Sequence, residues 1–73
     1  MEEKRLHLSP RETEVVRLLS LGVPLKGIPL VLGISFGVAR NYASSARQKL
    51  GASSNAHAVR LAIEHGLLEI REG

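Results

Sequence analysis

Three serines and three glycines bracket most of this chain into short segments: Ser9 to Gly22, Ser35 to Gly51 and Ser54 to Gly66. A serine ahead of a helix accepts a hydrogen bond from an orphan amide of the first turn, and a glycine past its end takes the left-handed stop. Within each bracket the apolar residues recur at the three- and four-residue spacing that gathers them on one side of a helix. Strand-like alternation is absent from the sequence. The pattern specifies an all-α fold of short helices joined by tight turns.

The opening signal is Leu8-Ser9-Pro10-Arg11-Glu12. Ser9 caps, Pro10 fits the first helical position, Glu12 reaches back to close a capping box, and Leu8 folds onto the first turn as a staple. Val15, Val16, Leu18, Leu19 and Leu21 follow at helical spacing as far as Gly22. Glu12 and Glu14 read as partners of the helix dipole or of ion pairs rather than as catalytic acids. The next segment, residues 23–33, carries conflicting signals. Leu25, Ile28, Leu30, Val31 and Leu32 favour a helix, whereas Gly27 weakens it and Pro29 removes an amide donor. A short, distorted helix is expected there, either from Leu25 with a broken first turn or from Pro29, ending at Gly33.

Ser35 then caps a third helix that runs to Gly51. Ala39, Ala43, Ala46 and Leu50 form its narrow apolar stripe, and the small side chains let it sit close against its neighbours. Arg40, Asn41, Ser44, Arg47 and Gln48 occupy the outward side, and Lys49 suits the negative pole of the dipole. Two helices joined by a tight glycine-containing turn, the second with a polar face, form the helix-turn-helix pattern. A merely solvated helix face would show the same local pattern. Ser54 caps a fourth helix, with His57 where Glu or Gln would complete a box. Its Ala58, Leu61, Ala62 and His65 lie near one side and Val59 and Ile63 on the adjacent one, a wide apolar surface that calls for burial on both sides or for a partner. Leu67 and Leu68, after Gly66, dock back on the core.

Charge distribution separates the possible functions. The net charge is +3, but all seven acids are glutamates near the ends, and between Val15 and Ile63 six cations, Arg17, Lys26, Arg40, Arg47, Lys49 and Arg60, face no acid. Such a field favours a phosphate backbone. With 73 residues the chain is read as one domain over residues 1–73 with a core at about 6–68. A domain this short buries only roughly 60% of its unfolded surface, so help from a partner subunit or a longer parent chain is expected. The sequence has no cysteine, which excludes disulfides and thiolate metal sites and fits a cytoplasmic protein. No apolar run approaches the ~20 residues of a membrane span. His7, His57 and His65 lack metal-ligand spacing, and Ser44 and Ser45 have no histidine and acid arranged with them. No enzyme activity, metal, cofactor, small-molecule substrate or membrane contact is therefore expected.

Taken together, Leu8-Ser9-Pro10-Arg11-Glu12, Glu14-Val15, Leu18-Leu19, Gly22, Lys26, Ile28, Leu32-Gly33-Ile34-Ser35, Lys49-Leu50-Gly51, Ala58-Val59 and Gly66-Leu67 resemble the LuxR-type, or GerE-like, DNA-binding domain of bacterial transcription regulators. The resemblance runs without a gap from residue 6 to about 68. It implies a four-helix helix-turn-helix domain whose third helix enters the major groove of double-stranded DNA and whose fourth helix pairs two subunits into a homodimer. Carried over by position, base reading falls on Arg40, Asn41 and Ser44, and phosphate contact on Lys26, Val38, Tyr42 and Lys49. The residue chemistry agrees: the Arg40 fork fits guanine O6 and N7, Asn41 can pair with adenine, Arg47 can neutralise backbone charge, and Tyr42 can donate a hydroxyl to phosphate.

This sequence departs from the family at named positions. Val38 stands where threonine is usual, Tyr42 for histidine, Gly27 for glutamate and Pro29 for alanine, and Leu30, Val31 and Phe36 replace polar or basic residues. The alternative these changes raise is a protein-interaction or dimerisation module on a degenerate helix-turn-helix scaffold that no longer binds DNA.

Overall fold

Ser9 and Glu12 close the first helix reciprocally: the Glu12 amide donates to Ser9 Oγ at 3.1 Å, and the Ser9 amide donates to Glu12 Oε1 at 2.8 Å. From this box the computed structural model, which describes residues 7–68, runs through α1 (Pro10–Ser20), a 3-10 turn (Leu25–Gly27), α2 (Ile28–Leu32), α3 (Phe36–Leu50) and α4 (Asn55–Glu64). No strand occurs among the described residues. Ser35 and Ser54 cap as the sequence predicts, accepting from the amides of Val38 and His57. His57 completes the fourth cap one residue out of register, its Nδ1 accepting from the Ser53 amide at 3.1 Å.

The conflicted middle segment resolves by dividing. Leu25–Gly27 makes the tight turn, and α2 begins at Ile28, so Pro29 sits in the first turn, where its missing N–H has no helical partner to lose. The helical segment thus starts at Leu25 with a broken first turn, the first of the two starts inferred from the sequence, and the α-helix proper begins at Ile28, one residue ahead of the second. Gly33 ends α2 at φ +68° and Gly51 ends α3 at φ +72°. Those left-handed conformations are disfavoured for residues with a Cβ, so glycine sets where the chain leaves each helix.

Two apolar clusters share α1. Val16 packs with Ala46, Leu50, Ala58, Ala62 and Leu68, while its neighbour Val15 packs with Ile28, Ala39 and Ala43. Alpha 1 is therefore the strut on which α3 lies, with α4 against one end of α3 and α2 against the other. The largest fully buried side chains are Ile28, Val15 and Val16, and the rest of the interior beneath α3 is chiefly alanine. Small residues at the contact bring helix axes to the close end of the usual spacing. Leu67 and Leu68 dock on the core as expected.

Three expectations need correction. Leu21 is 71% exposed because α1 ends at Ser20 and Leu21 only caps it. His65, likewise past the last turn of α4, is exposed. Leu8 packs against the Val16 cluster rather than stapling the first turn, where the staple position is occupied by Thr13, which is not apolar.

Candidate nucleic-acid interface

A helix can present a polar side only if the opposite side holds it down, and on α3 that side is fully engaged: Ala39, Ala43, Ala46 and Leu50 are all buried. Opposite them Arg40, Asn41 and Gln48 are exposed, with Ser44 half-buried on the same side. The Arg40 guanidinium and the Asn41 amide are therefore free to meet a ligand, as the sequence predicts.

The edges of α3 are tied to its neighbours. Glu12 is buried, and its carboxylate accepts from Ser45 Oγ at 2.6 Å, from Lys49 Nζ at 2.9 Å and from the Ser9 amide. Burial pushes the Glu12 carboxyl up, but the hydrogen bonds from Ser45, Lys49 and the Ser9 amide, with the Lys49 charge, outweigh it and bring it down to about 2. One side chain thus caps α1 and clamps α3 across it. On the other edge Arg47 Nη1 donates to Asn55 Oδ1 at 2.6 Å, linking α3 to the first turn of α4. Sequence reasoning placed Glu12 in the cap and as a partner of the dipole or of an ion pair, and Lys49 at the helix dipole and, by resemblance, on phosphate. It missed Ser45 and the cross-helix clamp, because nothing local says that α1 and α3 meet at those positions.

The remaining predicted residues fall as follows. Lys26 is exposed on the 3-10 turn, which packs against α3. Tyr42 is half-buried and packed against the Val15, Ile28, Ala39 and Ala43 cluster. Val38 is exposed but offers no donor, since its amide is spent on Ser35 Oγ at 3.1 Å.

Internal pairing sharpens the charge asymmetry. The described acids, Glu12, Glu14 and Glu64, pair with Lys49, Arg11 and Arg60. Arg17, Lys26, Arg40 and Arg47 are left without a carboxylate partner among the described residues. Also among the described residues, no cluster of three or more His, Cys, Asp or Glu side chains could hold a metal, and no helix is long and apolar enough to cross a membrane.

A short helix, a glycine turn and a longer helix seated by its apolar stripe with a basic polar side outward define a helix-turn-helix protein. Comparison with known proteins gives the family. Residues 6–62 match GerE, the luxR family of bacterial regulatory proteins. The uncharacterized transcriptional regulatory protein YvfU of Bacillus subtilis is 44% identical over 59 residues, covering 81% of this chain and 30% of that protein. The transcriptional activator protein ExaE of Pseudomonas putida is 44% identical over 63 residues, covering 86% and 29%. Among solved structures, the response regulator ChrA of a heme-sensing two-component system superposes with a TM-score of 0.82 at 26% identity, over 90% of this chain and 33% of that one. A Vibrio cholera VqmA–ligand–DNA complex gives 0.77 at 35% identity, over 90% and 29%. The chain belongs to the luxR family, as a helix-turn-helix DNA-binding module of the kind carried by transcription regulators. It spans about a third of the length of the relatives it matches.

Proposed function

We propose that α3 is the recognition helix of this module and reads double-stranded DNA in the major groove through Arg40, Asn41 and Ser44. The observation that carries this reading is the exposure of Arg40 and Asn41 on a helix whose opposite side is buried, beside cations that no described carboxylate neutralises. Arg40 grips guanine O6 and N7, Asn41 pairs with adenine, and Ser44 adds a hydroxyl deeper along the helix. Lys26 and Arg47 anchor phosphates, and Tyr42 donates its hydroxyl to one. Lys49 is engaged with Glu12, so it contributes less to phosphate binding than an unpaired lysine. Val38 contacts the duplex without a hydrogen bond.

Val59 and Ile63 share one side of α4 and, though packed partly against the core, keep part of that side open; through it two copies pair and present two α3 helices to half-sites about one helical turn, ~34 Å, apart. Whole-protein activity then follows from whatever controls that pairing. The test is a selection of bound sequences from random duplexes followed by titration of Arg40→Ala and Lys26→Ala. The reading requires a two-fold-related consensus, relaxed at one position by the first substitution and weakened uniformly by the second. Absence of any enriched sequence would refute it.

A second reading has its own observation: Leu30 is 91% exposed beside exposed Val31 on α2. Apolar side chains so placed fit a protein-interaction surface. Sedimentation of the wild type beside Leu30→Glu tests it, and an unchanged mass together with unaltered duplex binding would remove its basis.

A further inference from the structure

Residues four apart on a helix share a ridge, so Phe36 leads the ridge of Arg40, while Val38 stands one turn ahead of Asn41. Both are large, apolar and exposed, Phe36 to 46% and Val38 to 39%. Between them Gly37 is exposed, and a Cβ built there would meet only Ser35 Oγ, at 4.0 Å, so the backbone is bare and a flat surface can approach closely. This turn cannot grip phosphate through side chains, because neither Phe36 nor Val38 carries a polar atom and the Val38 amide is occupied by the cap. What it can meet is an apolar group. In the major groove the base edges present one, the C5-methyl of thymine. The N-terminal residues of a recognition helix are those that reach base edges.

We propose that Phe36 and Val38, on either side of the bare backbone at Gly37, read thymine methyls next to the bases gripped by Arg40 and Asn41. The inference rests on the reading of α3 as the groove-entering helix. It makes the first turn of α3 a specificity element for T-containing steps, built from two side chains that offer the duplex no hydrogen bond.

The test uses the duplex that the wild-type chain selects from random sequence, with each thymine replaced singly by deoxyuridine, which deletes only the methyl group. Each contacted methyl should account for a three- to fivefold loss of affinity, roughly the value of burying one methylene-sized group. Phe36→Ala should abolish that loss at one thymine and Val38→Ala at another, while both variants bind the uridine duplex as the wild type does. Specific binding indifferent to every uridine replacement would overturn the inference and leave the DNA reading standing. So would a methyl dependence that survives both substitutions. Failure of the wild type to select any sequence or bind any duplex at low salt would overturn the reading beneath it as well.

Discussion

Arg40 and Lys26 are both exposed cations, yet the geometry gives them different work. Arg40 lies on the outward side of α3, where a planar fork can take two acceptors of one base, whereas Lys26 lies on the turn before α2 and offers a point charge. Replacing Arg40 by alanine should cost ~1–3 kcal/mol on the preferred site and relax selectivity at one base pair, measured by competition titration. Replacing Lys26 should weaken all duplexes alike and lower the salt slope by about one. Glu12 matters at the same scale but for stability. Its carboxyl is held at about 2 instead of the ordinary 4.5, so the folded state favours the charged form. The stability it supplies is complete above the ordinary value and drains as pH falls from there toward 2. The shift corresponds to an upper bound of roughly 3 kcal/mol. Urea unfolding at a series of acid pH values should show that decline in the wild type and a flatter profile in Glu12→Gln, which should also be less stable near neutrality.

Among the elements, α3 depends on what lies under it. The alanines at 39, 43 and 46 are nearly or completely covered, so Ala43→Leu has no room to expand and should cost ~1–3 kcal/mol through displaced neighbours. Thermal unfolding measures it, and the same variant should lose duplex affinity because Arg40 and Asn41 move with the helix. The starts of α1, α3 and α4 and the ends of α2 and α3 were legible because caps and stops are local chemistry: Ser9, Ser35, Ser54, Gly33 and Gly51 act through their own turns. The alanine stripe was legible through periodicity. Two kinds of feature were not. Leu21 carried a helical period past the residue where the helix stopped. The Glu12–Ser45–Lys49 clamp and the Arg47–Asn55 bond join positions far apart or across a connector, and no spacing rule announces which side of one helix meets which side of another.

At the scale of the whole molecule, fold and charge act together. The described glutamates are consumed by internal pairs, so the positive field of the middle of the chain survives folding with Arg17, Lys26, Arg40 and Arg47 unmatched by any described carboxylate. A polar, outward helix side was visible in the sequence, but the element that holds its other side down was not, since a stripe of alanines specifies closeness without naming the neighbour. Alpha 1 supplies that neighbour on both clusters and leaves the opposite side of α3 open. Pairing through α4 would double the number of phosphates neutralised, so dimeric binding should show a steeper salt dependence than a monomer of this size. The most direct measurement is equilibrium binding of the chain to its selected duplex across a salt series, beside Arg40→Ala. Outward reading by α3 from a positive surface predicts that log affinity falls linearly with log salt, by about 0.9 per phosphate contacted, and that Arg40→Ala loses preference for the selected sequence. Affinity unaffected by salt, no binding at low salt, or full sequence preference retained without Arg40 would contradict it.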